Sequence, residues 1–209
     1  MTGKQNNTSM VGNRETGCRQ RGRGWRIAGW AGVALTLLLV PLVAMQFSAG
    51  WNWDLFDFGF AFVLLFGTGL TYELVASKMA HRAYKRAVGV AGGAVLLLVW
   101  LNGAVGLIGD DEAINVLYLG VLGVGLLGAL STRFAPRGMA RTAFAMAITQ
   151  LLVPVIVLLI PTLRGALLEP PSVMGVIGLN LCFTALFVGA ALLFRQAAQA
   201  QLTASPRTD

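Results

Sequence analysis

Six apolar runs dominate the chain, at about residues 27–48, 57–76, 87–108, 114–132, 142–163 and 173–194, and short polar stretches separate them. A helix rising 1.5 Å per residue needs about 20 mainly apolar residues to cross about 30 Å of hydrocarbon, and each run meets that need. Backbone in lipid must satisfy its own hydrogen bonds, which predicts a helix over every run. The alternating apolar and polar positions of a membrane barrel strand are absent. The expected fold is all-α: a polytopic membrane protein, built as a compact bundle of six transmembrane helices over residues 27–195. The connecting loops are short, so consecutive helices are expected to be antiparallel neighbours.

Residues 1–26 show no apolar periodicity and are predicted to be a disordered basic tail. The run from Ile27 to Phe47 is longer than the apolar core of a signal peptide and is read as a retained first span. Residues 196–209 form a second polar tail, predicted to continue the last helix briefly and then fray.

Charge gives these spans a direction. Of the sixteen Lys and Arg residues, all but Arg164 fall in the N-terminal tail, in the stretches Lys78–Arg86 and Arg133–Arg141, or at Arg195 and Arg207. The acids Asp54, Asp57, Asp110, Asp111, Glu112 and Glu169 fall on the other side. The positive-inside rule then puts both termini in the cytoplasm. Trp25, Trp30, Trp51, Trp53, Tyr72 and Trp100 sit near the predicted interfaces, as an aromatic belt requires.

Composition removes whole classes of function. Only 12% of residues are charged, 56% are hydrophobic and the mean hydropathy is +0.70, which excludes an ordinary soluble enzyme. The net charge of +7 is accounted for by topology and by contact with anionic headgroups, so no nucleic-acid partner is expected. Cys18 and Cys182 fall in different environments, which argues against a disulfide. His81 is the lone histidine, so no metal site is expected, and no cofactor motif is present. Gly123-x-Gly125-x-x-Gly128 lacks the strand-helix context of a dinucleotide site. No catalytic residue is assigned.

The polar residues left inside the spans are few. Gln46, Asp57, Trp100 and Asn102 are expected at one depth, near the outer interface. They are read either as interhelical hydrogen bonds or as a small outward-facing polar or cation-binding pocket. Glu73, beside Tyr72 at the inner end of the second span, is either a structural ion pair or an ionisable functional group. Gln150 and Asn180 are expected to meet in mid-membrane. Pro154 and Pro161 interrupt the backbone bonding of the fifth span, where Thr149 and Gln150 could satisfy freed carbonyls or line a cavity. Glycine pairs such as Gly125-x-x-x-Ala129 fit close helix packing, within the bundle or against a second copy.

Three stretches also resemble a known family. They are Trp53-Asp54-Leu55-Phe56-Asp57-Phe58 with Gly67-Thr68-Gly69-Leu70-Thr71-Tyr72-Glu73-Leu74-Val75, then Val99 to Gly109, then Arg133 to Ala140. Together, over about residues 51–150, they are similar to an uncharacterised family of small bacterial multi-span inner-membrane proteins. That resemblance implies a bacterial inner-membrane location and draws notice to Asp57, Glu73, Trp100 and Asn102, but it implies no activity. The function expected is non-enzymatic: a small permease-like unit or a subunit of a membrane assembly. The alternatives are a membrane-embedded enzyme acting on a lipid or quinone, and a structural or accessory protein packed against another membrane protein. The partners expected are a bilayer with anionic headgroups, and either another membrane protein or a second copy of the chain.

Overall fold

The computed structural model describes residues 6–47, 53–76, 81–104, 112–160 and 173–204. Over these residues the protein is all-α, with six helices and no strand: α1 (Asn6–Phe47), α2 (Leu55–Ala76), α3 (Arg82–Ala104), α4 (Glu112–Ser131), α5 (Pro136–Leu159) and α6 (Val173–Ala204). Five contain stretches long and apolar enough to cross a membrane, namely Gly24–Phe47, Leu55–Ala76, Arg82–Gly103, Pro136–Leu159 and Met174–Thr203, consistent with an integral membrane protein. The apolar part of α4 is shorter among the described residues, Val116–Ser131. Trp51, Lys78, Asp110, Asp111, Pro161, Arg164 and Glu169, all used above, lie outside the described residues.

The N-terminal tail departs from expectation, and the C-terminal one continues the last helix as expected. The segment 1–26, expected to be disordered, is helical from Asn6 onward as part of α1. It contains no proline, and its Arg, Gln, Glu and Met residues are good helix formers, so the helix propagates back from the apolar stretch. At the other end α6 runs to Ala204, through an Ala- and Gln-rich stretch with high helix propensity.

The chain divides into two compact units, residues 1–73 and 74–209. The first holds α1 and most of α2. The start of α2 is locally well specified. The Asp54 carboxylate accepts the Asp57 backbone N–H at 2.9 Å, and the Asp57 carboxylate accepts the Asp54 backbone N–H at 3.0 Å. This is a capping box, which satisfies N–H groups that the first helical turn leaves open. Trp53 packs edge-on against Phe58 with ring centroids 5.4 Å apart, the hydrophobic staple that accompanies such a box.

The second unit is built from α3, α4, α5 and α6. Helix α6 packs between α3 and α5, and α4 packs mainly on α5, reaching α6 through Tyr118 and α3 through a smaller contact. Side-chain contacts fix the directions. Tyr84, early in α3, stacks edge-on against Phe194, late in α6, at 5.4 Å. A β-carbon at Gly128 of α4 would collide with Thr142 of α5, and one at Gly125 would lie 2.8 Å from the Met146 side chain. Neighbouring helices therefore run antiparallel, and α4 meets α5 at a separation that only glycine allows. The core between the helices is mainly apolar, with Leu98, Val121, Val153, Val157, Val176 and Phe187 all buried.

The α4–α5 turn is a Schellman motif. Phe134 N–H donates to Ala129 O at 3.2 Å and Arg133 N–H to Leu130 O at 3.1 Å. Arg133 and Phe134 both lie in the left-handed region, with φ of 48° and 60°. Tyr84 Oη holds this turn from α3 by donating to Phe134 O at 2.7 Å. Helix α5 then begins with Pro136 in its first turn, where a missing N–H costs nothing. It ends at Ile160, which is extended and precedes Pro161 in the sequence.

This topology gathers the described basic residues of the second unit. Arg82, Lys85 and Arg86 begin α3, Arg133, Arg137 and Arg141 surround the α4–α5 turn, and Arg195 lies in the final third of α6. All fall at one end of the four helices.

Candidate functional site

Most Ser and Thr hydroxyls inside the spans are consumed locally. Thr36, Thr68, Ser131, Thr142, Thr149 and Thr184 each donate to the carbonyl four residues earlier in their own helix. Thr149 therefore bonds Ala145 O at 2.9 Å and leaves the Gln150 carbonyl, whose usual helical donor Pro154 lacks, without help from its hydroxyl.

That leaves the amides. Gln150 on α5 and Asn180 on α6 face each other across the most extensive helix interface of the second unit, and Gln150 Nε2 donates to Asn180 Oδ1 at 2.9 Å. A third residue joins them. Asn180 Nδ2 donates to Tyr118 Oη of α4 at 3.1 Å and to Val176 O at 2.9 Å, while Tyr118 Oη lies 3.4 Å from Asn180 Oδ1. Gln150 and Tyr118 are 0% exposed and Asn180 1%. Among the described residues Gln150 Oε1 has no hydrogen-bond partner. The triad thus ties α4, α5 and α6 at one level with neutral groups, and it contains no carboxylate, thiol or imidazole to transfer a proton.

No known protein family, characterised protein or solved structure matches this chain.

The remaining candidates are placed as follows. Glu73 is buried and its Oε1 lies 3.1 Å from Arg26 Nε, whose side chain is 64% exposed. Beside this ion pair Trp30 of α1 lies over Gly69 and meets Tyr72 edge-on at 6.0 Å. Asp57 is engaged in the capping box. Gln46 is exposed near the end of α1, in the same unit as Asp57. Trp100 and Asn102 are half-buried late in α3, in the second unit, and each is engaged in interactions of its own.

Two features escape a reading of the sequence alone. Tyr118 sits in an apolar run as one aromatic among aliphatic residues, and its hydroxyl was the signal that a polar partner was needed. The second is a groove of about 390 Å³ between the start of α5 and the end of α6, with Arg137, Arg141, Arg195 and Gln199 along its walls. In the sequence these arginines register only as topology signals. Their convergence requires knowing that α5 and α6 are antiparallel partners. His81 also has a local role: its Nδ1 accepts the Ala83 N–H at 3.2 Å at the start of α3.

Proposed function

We propose that the protein is a non-enzymatic structural subunit of a membrane assembly, spanning a bacterial inner membrane six times with both termini in the cytoplasm. One observation carries this reading: Gln150 and Asn180 are bonded to each other and to Tyr118, and apolar side chains close over them. A permease-like unit would need such residues open to water, and a membrane-embedded enzyme would need reactive groups at a lateral opening. Here they act as a clasp between helices. The orientation draws support from the basic residues gathered at one end of α3–α6.

A scaffold needs a surface for its partner. A β-carbon at Gly120 and Gly123 of α4, or at Gly178 and Gly189 of α6, would meet nothing within 4 Å. These positions lie beside exposed Leu119, Leu126 and Leu181. Open glycines on an apolar face allow another helix to approach closely in lipid. The partner is another membrane protein or a second copy of the chain.

The test is purification of the tagged full-length chain from native membranes in a mild detergent, with crosslinking before extraction. A stoichiometric membrane-protein partner, or a defined oligomer, is the expected result. A monomer that supports saturable solute flux in liposomes would overturn the proposal. Labelling of a cysteine placed within residues 109–113 from the cytoplasmic side alone would overturn the orientation.

A further inference from the structure

We propose that the groove between α5 and α6 is a binding site for the phosphate headgroup of an anionic membrane lipid. Arg137 and Arg141 are four residues apart on α5, hence about 6 Å along one helix face, and Arg195 and Gln199 repeat the spacing on α6. The floor is Ala140 and Ala198, both buried and both small, which leaves room for a group to sit between the two helices. Phe144, one turn farther along α5, supplies an apolar wall on the side leading away from the basic end.

The charge of this groove is uncompensated by its own helices. Neither α5 nor α6 contains an acidic residue, and among the described residues none of the three arginines is in an ion pair. Three exposed guanidinium groups held around one cavity repel each other unless an anion lies between them. Guanidinium groups bind phosphate oxygens through paired N–H donors, and Gln199 adds a neutral donor. The first turn of α5 has no side-chain cap, so its open N–H groups add positive potential at the same end. Basic pockets between spans at the cytoplasmic face suit anionic lipid headgroups.

The shared chemistry is a phosphate oxyanion, which either a lipid or free phosphate could supply. The apolar Phe144 wall and the position between two spans favour the lipid. The inference rests on the proposed orientation only in deciding which leaflet supplies it. Binding by the isolated protein is independent of whether a protein partner exists, so the two proposals fail separately.

The full-length protein in a nonionic detergent is titrated with phosphatidylglycerol, with phosphatidylcholine and with inorganic phosphate, and bound ligand is read by native mass spectrometry. Phosphatidylglycerol is expected to bind in preference to phosphatidylcholine. The triple variant Arg137→Gln, Arg141→Gln, Arg195→Gln is expected to weaken it about a hundredfold. Equal charge loss in the N-terminal tail, Arg19→Gln, Arg21→Gln, Arg23→Gln, is expected to change it less than about twofold. Equal weakening by the tail variant would reduce the effect to diffuse attraction and overturn the site. Displacement of the lipid by an equal concentration of inorganic phosphate would overturn the lipid as ligand. Should the triple variant fail to fold, Arg141→Gln alone is expected to weaken binding about fivefold, and no change would overturn the proposal.

Discussion

In residues 1–73, α1 meets α2 through long side chains: Arg26 reaches Glu73, and Trp30 spreads over Gly69 and Tyr72. In residues 74–209 the contacts are buried, with Thr142 and Met146 of α5 seated against Gly128 and Gly125 of α4 and the Gln150–Asn180–Tyr118 bonds beside them. The consequence is visible in burial. Of the most apolar window of α1 only 11% is buried, against 39% in both α5 and α6, with α2 at 22% and α3 at 17% between them. Close backbone approach multiplies dispersion contacts, whereas a contact at the end of a long side chain fixes few atoms and costs rotamer freedom. On this ground the α1–α2 contact is expected to be weaker than the α4–α5–α6 core.

The largest expected effect tests that difference directly. Gly128→Ile drives a branched side chain into Thr142 and is expected to destabilise the protein by about 3 kcal/mol, measured by reversible unfolding in mixed micelles. The same substitution at Gly67 of α2, where a β-carbon meets nothing within 4 Å, is expected to cost less than about 0.5 kcal/mol. Equal costs would break the comparison. Next, Asn180→Ala strands both the Gln150 amide and the Tyr118 hydroxyl, at about 2 kcal/mol. Adding Gln150→Leu is expected to recover part of that loss, because a buried amide without partners is removed; strict additivity would deny that the clasp acts as a unit.

Smaller effects sharpen the picture. Glu73→Gln removes an ion pair whose Arg26 partner is 64% exposed, so a loss of about 0.5 kcal/mol is expected, shrinking as salt is raised. A loss approaching that of Asn180→Ala would show the α1–α2 contact to be as strong as the α4–α5–α6 core. The smallest effect has the opposite sign. Arg133→Gly relieves a left-handed φ of 48° and is expected to stabilise the α4–α5 turn by about 0.5 kcal/mol, read as a raised unfolding midpoint.

The helices were legible because lipid imposes a length and a composition on each. Their starts were less so. Helix α5 begins at Pro136 rather than near residue 142, and α3 at Arg82 rather than near residue 87, because both first turns are basic. A count of apolar residues stops at the last arginine. A helix does not, since the alkyl stem can lie along the apolar surface while its charge reaches water. The roles of the acids divided in the same way. Asp57, expected by depth in an outer polar site, instead closes a capping box with Asp54, whose signal is an acceptor three residues before another at the head of an apolar run. Glu73 was legible as a buried acid, but its partner Arg26 lies in a segment expected to be disordered. For the amides, depth alone placed Gln150 and Asn180 at one level. Tyr118 and the arginine groove depend on which helix lies beside which, and no periodicity encodes that.

The Tyr118–Asn180–Gln150 clasp has a consequence in time. Tyr118 precedes Asn180 by 62 positions and Gln150 precedes it by 30, so synthesis delivers two of the three members first. Until α6 follows, α4 and α5 carry an unmatched hydroxyl and an unmatched amide inside hydrocarbon, where each is costly. Tyr84, by contrast, is made 50 residues before the Phe134 carbonyl it holds, and waits for it. Closure of the early turn thus needs nothing from downstream, while the satisfaction of α4 and α5 is deferred to the last helix. An interrupted chain remains chemically marked as unfinished within the bilayer, and the arrival of Asn180 pairs the Tyr118 hydroxyl and the Gln150 NH2 group, leaving Gln150 Oε1 open among the described residues.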